Sequence, residues 1–394
     1  MILSSQRWQR EETLLLLMAI AVPLSFAAWQ TLLNNFAIEA AAFTGREIGV
    51  LQSLREVPGF LAFGVVFLLL LVREQKLAYI ALLLLGLGTA LTGFFPSVIG
   101  LYLTTVLMST GFHYYETLQS SLSLQWIEKS QTPEVLGRLI AAGAFASMVT
   151  FGLIWFGDKI LQLDYQWLFL VMGSLTAAIA LAVWLLFPHF PEKTEQHKHM
   201  VFRKRYWLFY ALTFMSGARR QIFVVFAGFL MVEKFGYSVA DIALLFIINA
   251  SLNVLFARRI GRLIGRIGER NALLFEYGGL ILVFCGYALV EQANIAAALY
   301  VLDHLFFAMA IALKTYFQKI AEPKDIASTA GVSFSINHIA AVVIPAVFGL
   351  LWLVSPALVF FLGAAMATVS LLLSLLIPEQ PQPGCETRLA PAAG

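Results

Sequence analysis

Apolar stretches long enough to cross a bilayer recur along the whole chain, separated by short polar breaks. A helix needs about 20 apolar residues to span the hydrocarbon core. The first half carries six such stretches, at 13–37, 47–72, 76–95, 97–122, 135–157 and 166–188. The second half carries six more, at 206–232, 239–257, 271–290, 294–313, 326–353 and 356–377. The pattern predicts an all-α membrane protein with twelve transmembrane helices.

The predicted spans fall into two groups of six around one basic break. We therefore expect an N-terminal six-helix bundle over 1–188, a basic cytoplasmic linker over 189–205 and a C-terminal six-helix bundle over 206–377. The remaining residues, 378–394, include four prolines and are predicted to be a disordered cytoplasmic tail. Paired six-helix halves with a site at their interface are a known transporter plan.

The composition supports a chain embedded in lipid. Hydrophobic residues make up 60% of the chain and charged residues only 12%, and the mean hydropathy is +0.82. A soluble domain carries roughly 25% charged residues. The net charge is only +3, with dispersed basic residues, which argues against a nucleic-acid partner. The two cysteines, Cys285 and Cys385, indicate neither a disulfide framework nor a metal site, and we expect no cofactor.

The placement of lysine and arginine predicts how the chain is oriented. Nineteen of the 26 basic residues fall in the termini and even-numbered loops, whereas the odd-numbered loops hold only Arg46, Lys159 and Lys234. Basic loops remain on the cytoplasmic side. The first apolar stretch lacks a small-residue cleavage site and is predicted to be a retained helix. We expect a multi-pass protein of the bacterial inner membrane with both termini in the cytoplasm.

A short motif follows the eighth span. Residues 261–270 read Gly-Arg-Leu-Ile-Gly-Arg-Ile-Gly-Glu-Arg. This resembles the loop signature of the major facilitator superfamily, G-x-L-x-D-R-x-G-x-R, with matches at Gly261, Leu263, Arg266, Gly268 and Arg270. Gly265 replaces the usual aspartate. The loop between spans two and three, 72–76, lacks the glycine-aspartate-arginine core, which indicates a divergent branch.

The resemblance implies alternating access between two six-helix domains in a monomer. It also implies that spans one, four, seven and ten line a central cavity, and that Gly261, Arg266, Gly268 and Arg270 form a gate loop. It does not name the substrate.

Polar side chains within the spans are the candidate binding residues, because ionisable groups at mid-bilayer normally face a cavity or a partner. Arg219 and Arg220 lie near the middle of span seven. Neighbours on a helix point about 100° apart, so we expect one arginine to face the cavity and the other to pair with an acid, such as Glu56 or Glu116. An arginine fork matches a carboxylate or phosphate. The predicted substrate-binding set is Arg219, Arg220, Gln221, Gln30, Asn34, Tyr115 and Lys314; the alternative is a structural salt bridge.

A second group of residues is able to carry a proton. Burial favours the neutral form of a carboxylate, and histidine titrates near neutral pH. The candidate proton-coupling residues are Glu116, Asp303, His304, His113 and His338. The alternative for each histidine is a hydrogen bond that packs helices. Arg55 and Glu56 are interpreted as a structural pair, and Glu276 is expected near the membrane surface beside Arg266 and Arg270.

These features predict a secondary active transporter for a small, anionic organic solute, coupled to protons. The alternatives are multidrug-type efflux of lipophilic compounds, for which a carboxylate-dominated cavity would be typical, and lysolipid transport. The sequence has no nucleophile elbow, H-E-x-x-H motif or phosphate loop. We therefore expect no catalytic residues, no enzyme activity and no ATP-driven pumping by this chain.

Overall fold

A computed structural model describes residues 9–127, 132–191, 202–322 and 326–389. Most of the predicted linker, 192–201, and the end of the predicted tail, 390–394, lie outside the described residues.

Within the described ranges the chain forms fifteen α-helices. The first half contains α1 (Glu11–Ala41), α2 (Gly45–Phe60), α3 (Val65–Leu68), α4 (Glu74–Thr92), α5 (Val98–Trp126), α6 (Thr132–Lys159) and α7 (Tyr165–Leu186). The second half contains α8 (Trp207–Gln221), α9 (Gly228–Glu233), α10 (Val239–Ile267), α11 (Glu269–Leu289), α12 (Ala293–Phe307), α13 (Ile311–Ile320), α14 (Ile326–Val354) and α15 (Pro356–Ser374).

Three of the predicted spans each consist of two helices joined without a loop. A 3₁₀ turn over Leu61–Gly64 joins α2 to α3, and another over Ala308–Ala310 joins α12 to α13. A π-helical turn over Ile222–Ala227 joins α8 to α9. Counted as single segments, the described helices give twelve, of which ten are long and apolar enough to cross a membrane. The predicted all-α fold and its approximate helix count are confirmed.

The chain divides into two compact units. Unit 1 comprises Met1–Phe43, Leu54–Gln196 and Ser238–Ile247, and unit 2 comprises Thr44–Ser53, His197–Tyr237 and Ile248–Gly394. Thus the start of α2 belongs to unit 2 and the start of α10 belongs to unit 1.

Glycines set the close helix packing inside unit 1. A Cβ atom on Gly86 of α4 would lie 2.7 Å from the carbonyl oxygen of Gly173 in α7. A Cβ atom on Gly111 of α5 would likewise clash with the backbone nitrogen of Leu85 in α4. Small residues let helix backbones approach each other, which increases van der Waals contact where lipid provides no hydrophobic driving force. These two glycine contacts pack α4 closely against α7 and α5.

Unit 2 combines a glycine contact with aromatic packing. A Cβ atom on Gly49 of α2 would lie 2.9 Å from the Cα atom of Gly349 in α14. The ring of Trp352, also in α14, lies 5.3 Å from the ring of Phe226 and 5.9 Å from that of Phe360. These rings join the π-helical turn, α14 and α15 into one core.

The described part of the tail, 378–389, is folded against unit 2, which differs from the predicted disorder. The hydroxyl of Tyr316 in α13 donates a 2.6 Å hydrogen bond to the carbonyl oxygen of Glu386. The backbone N–H of Arg388 donates to the carbonyl oxygen of Leu376 at 2.8 Å. Glu379 lies 3.5 Å from Arg270 at the start of α11. These contacts pair backbone groups and charged side chains of the tail, so the proline-rich segment forms an ordered turn.

Candidate solute and proton sites

Unit 2 contains a buried charge cluster, made of Arg219, Glu276 and Asp303. Arg219 lies near the end of α8 with 3% of its surface exposed. Its Nη2 donates to Oε1 of Glu276 at 3.1 Å, and its Nη1 donates to Oγ of Ser370 in α15 at 3.2 Å. The guanidinium carbon also lies 4.5 Å from the ring centre of Tyr277. All these groups hold Arg219 inside unit 2.

Glu276 is the acid partner of Arg219 that the sequence-based prediction missed. It was expected beside Arg266 and Arg270, but it is fully buried in α11, at 0% exposure. The reason is its position on a helical stripe, since Leu273, Tyr277 and Leu280 are buried as well. A charged residue spaced three or four residues from buried apolar ones faces the same way as they do. That spacing was the signal that could have identified Glu276.

Asp303 is the third member of the charge cluster. It lies in α12 with 2% of its surface exposed, and it interacts electrostatically with both Arg219 and Glu276. One carboxylate oxygen of Asp303 and one of Glu276 have no hydrogen-bond partner among the described residues. Buried polar groups are usually hydrogen-bonded, so each such atom calls for an explanation.

Arg220, the neighbour of Arg219, is exposed on unit 2. Its guanidinium carbon lies 5.5 Å from the ring centre of Phe307 in α12. Gln221 is buried and Lys314, in α13, is exposed. Of the predicted substrate-binding residues in unit 2, Arg220 and Lys314 are therefore the cations with exposed side chains.

Unit 1 contains a cavity of about 350 Å³ between α1, α5 and α6. Its polar wall comes from α5 and consists of Tyr115, Glu116, Gln119, Ser120 and Ser123. The other lining residues are apolar: Ala19, Val22 and Pro23 from α1, Phe112 from α5, and Leu136, Leu139, Ile140 and Gly143 from α6. None of these described lining residues is a lysine, arginine or histidine.

Two polar atoms at the cavity have no hydrogen-bond partner among the described residues. They are the hydroxyls of Tyr115 and Ser123, both buried. Glu116 presents an exposed carboxylate, 3.8 Å from Nδ1 of His113. The cavity thus offers a carboxylate and several hydroxyl and amide groups to a ligand, next to an apolar surface.

The other predicted residues of unit 1 are not among the described residues that line the cavity. Arg55 and Glu56 form a buried ion pair, and Arg55 lies 6.0 Å from the ring centre of Trp29. Gln30 and Asn34 are half-buried on α1, and the described residues that line the cavity include neither. In unit 2, the predicted His304 and His338 are also half-buried.

The predicted gate loop is largely helical. Helix α10 continues through Gly261 and Arg266, both exposed, and the chain turns only at Gly268, where φ is +80°. Glycine adopts this backbone conformation without a steric penalty, so it ends the helix there. Arg270 lies in the first turn of the next helix, α11, and forms an ion pair with Glu379.

Comparison with known proteins agrees with the fold. The model of the Major Facilitator Superfamily matches residues 13–345. A single-residue variant of the nucleoside transporter NupG shares the fold at a TM-score of 0.78, with 15% identity over 93% of this chain and 99% of that one. A bacterial homologue of the human lysosomal transporter Spinster gives 0.70, with 13% identity over 94% and 96%.

A POT family transporter in complex with 5-aminolevulinic acid gives a TM-score of 0.71, with 12% identity over 92% of this chain and 94% of that one. None of the curated proteins matches the chain in sequence. The family match covers most of the chain, and apolar helices run through both units. The chain therefore belongs to the Major Facilitator Superfamily, as a multi-pass membrane transport protein.

Proposed function

We propose that this chain is a secondary active transporter that moves a small amphipathic organic solute by alternating access. In this proposal, the solute places an amine or another hydrogen-bond donor against Glu116 in the cavity of unit 1. The observation that carries the proposal is the cavity itself, which combines a carboxylate with apolar walls.

The charges around the cavity decide the class of solute. A solute carboxylate or phosphate would meet the carboxylate of Glu116, with no cation among the described lining residues to offset it. An ammonium or hydroxyl group gains a charge-assisted hydrogen bond there. The apolar wall formed by α1 and α6 suits the body of the solute. The volume, about 350 Å³, lies at the small end of the range of about 300–1,000 Å³ for ligand sites.

An anionic solute is the second candidate, and the exposed position of Arg220 favours it. Arg219 is buried, whereas Arg220 and Lys314 are exposed, so the anion site predicted from the sequence reduces to these two cations. In this alternative, an anionic headgroup, including that of a lysolipid, binds at unit 2 through the arginine fork.

Proton coupling and orientation complete the proposal. The chain carries buried carboxylates within helices that are apolar enough to span a membrane, and the sequence contains no nucleotide-binding motif. A gradient of protons is therefore the energy source that its residues fit best. We place the monomer in a bacterial inner membrane with both termini in the cytoplasm, on the basis of its lysine and arginine distribution.

A thermal-shift screen of the purified protein tests the solute class. The probes are amphipathic amines, nucleosides, 5-aminolevulinic acid, organic phosphates and lysolipids. A ligand at a hundredfold excess over Kd raises the free energy of unfolding by about 2.7 kcal/mol. We expect amines or hydroxyl-rich probes to stabilise the protein, and Glu116→Gln to abolish the shift while Arg220→Gln retains it. The reverse pattern, with anions lost on Arg220→Gln, would favour the second candidate.

A further inference from the structure

The charge cluster of unit 2 has a function that goes beyond solute binding. We infer that Glu276 and Asp303 share one proton opposite Arg219, and that this cluster is where the protein binds and releases its coupling proton. The coupling role rests on the proposed secondary transport, whereas the presence of the proton rests on the cluster alone.

The first argument is a count of charges. The cluster has one guanidinium and two carboxyl groups, and each of the three residues is at most 3% exposed. With both acids ionised, a net negative charge would be buried in a membrane-spanning helix bundle. Burying an unpaired charge is costly, and the group neutralises instead. One proton on either acid makes the cluster neutral.

The hydrogen bonds support the same count. The two terminal nitrogens of Arg219 donate hydrogen bonds to Glu276 and Ser370. One oxygen of Glu276 and one of Asp303 accept no hydrogen bond from the described residues. An ionised carboxylate needs more donors than a neutral carboxyl group does. The two unpartnered oxygens therefore indicate that these groups are not both ionised.

Among the described residues, no second cation neutralises the other carboxylate in place of that proton. The neighbouring titratable groups on α11 and α12 are the hydroxyls of Tyr277, Tyr287 and Tyr300, which are neutral at physiological pH. Helix α15 contributes only Ser370. Of the two lysines on α13, Lys319 pairs with Glu269 and Lys314 is exposed. Arg220 of α8 is exposed beside Phe307. The nearest histidines along the packed helices, His304 on α12 and His338 on α14, are half-buried.

The location of the cluster connects protonation to movement of the chain. Arg219 lies three residues before the π-helical turn that links α8 to α9. Such turns are rare and occur frequently at functional sites. Gain or loss of the shared proton changes the charge that Arg219 faces, and so changes how firmly α8 is held to α11 and α15.

Infrared difference spectroscopy of the purified protein tests the shared proton without any solute. The carbonyl stretch of a protonated carboxyl group is measured as the pH is raised. We expect the wild type to show one buried band, and Glu276→Gln and Asp303→Asn each to abolish it, because the cluster is then neutral without a proton. Arg219→Gln should increase the band about twofold, since two acids then remain without a cation.

The matched control is Glu291→Gln, which changes an exposed carboxylate paired with Lys234 and should leave the band unchanged. The two amide variants keep the size of the native side chains, so a test remains even where Arg219→Gln fails to fold. Absence of the band in the wild type, or its survival in both amide variants, would overturn the shared proton.

Transport by reconstituted protein tests the coupling role separately. Using a probe that the thermal-shift screen identifies, we expect Glu276→Gln to lose accumulation driven by a pH gradient but to retain solute exchange. Accumulation that stays intact in Glu276→Gln would overturn the coupling role while leaving the spectroscopic result in place. Failure of every probe to bind would instead contradict the proposed solute class, and the infrared band does not depend on it.

Discussion

Two neighbouring arginines of α8 have opposite environments, although they are the same residue type. Arg219 is buried against Glu276 and Ser370, and Arg220 is exposed beside Phe307. Neighbouring residues on a helix point about 100° apart, which explains why the two side chains have different surroundings. That angle could not reveal which arginine points inward, because that depends on where α11 and α15 pack.

At this scale, the first prediction compares the two arginines. Arg219→Gln removes the cation of a buried pair, so Glu276 has to take up a proton or remain as an uncompensated charge, and breaking a buried pair in this way costs about 3–5 kcal/mol. Arg220→Gln removes an exposed charge and should change the stability by about 0.5 kcal/mol or less. Thermal unfolding in detergent measures both. Equal losses for the two variants would contradict the assignment of Arg219 as the buried partner.

The second prediction concerns the pair of residues. When Glu276→Gln is added to Arg219→Gln, the acid that has lost its cation is removed as well, so part of the lost stability should return. A double-mutant cycle from the same unfolding measurements gives the coupling energy. A coupling energy near zero would mean that the 3.1 Å contact does not stabilise the protein.

At the scale of the helices, the apolar stretches allowed the spans to be predicted, but not their partners. Hydropathy does not indicate which helix faces pack against each other within the membrane, because that packing depends on small residues and local shape. Gly86 and Gly173 lie on different helices, and only the folded chain brings them together. The same holds for the cavity of unit 1, of which the sequence suggested Tyr115 and Glu116 but not the facing walls of α1 and α6.

A third prediction tests the glycine contact of unit 1. Gly86→Ala places a methyl group 2.7 Å from a backbone oxygen of α7 and should destabilise unit 1 by about 1–3 kcal/mol. Gly152→Ala is the matched control on α6, because a Cβ atom there meets nothing within 4 Å. This control should be neutral or slightly stabilising, since alanine favours a helix more than glycine does. Similar melting temperatures for the two variants would contradict the packing.

A fourth prediction tests the fold of the tail. Tyr316→Phe removes the hydrogen bond to the carbonyl oxygen of Glu386 and leaves that oxygen unpaired. The expected loss is about 1 kcal/mol. Limited proteolysis of the variant should cut within 378–389 faster than in the wild type. Unchanged cleavage would support the disorder that the prolines alone suggested.

For the whole molecule, the apolar segments and the local motif were the reliable signals, whereas contacts between distant residues were not predictable. Twelve apolar segments and the motif at 261–270 were sufficient for the family, because both depend on local sequence. The pairing of Arg219 with Glu276, 57 residues apart, depends on the packing of α8 against α11. A buried acid was therefore assigned to the surface in the sequence-based prediction, and the tail was assigned to disorder.

The last prediction concerns the orientation of the molecule in the membrane. With Cys285 and Cys385 replaced by serine, single cysteines are introduced as Arg266→Cys and Gln162→Cys, both outside the apolar parts of their spans. The basic loops predict that a membrane-impermeant maleimide reaches the cysteine at 162 in intact cells, and the cysteine at 266 only after the cells are opened. Spans six, seven and eight lie between Gln162 and Arg266, so the two positions should be on opposite sides of the membrane. Labelling of both from outside would contradict this odd number of intervening crossings. Labelling of 266 alone in intact cells would invert the orientation, and the proton gradient would then act on the charge cluster from the opposite side.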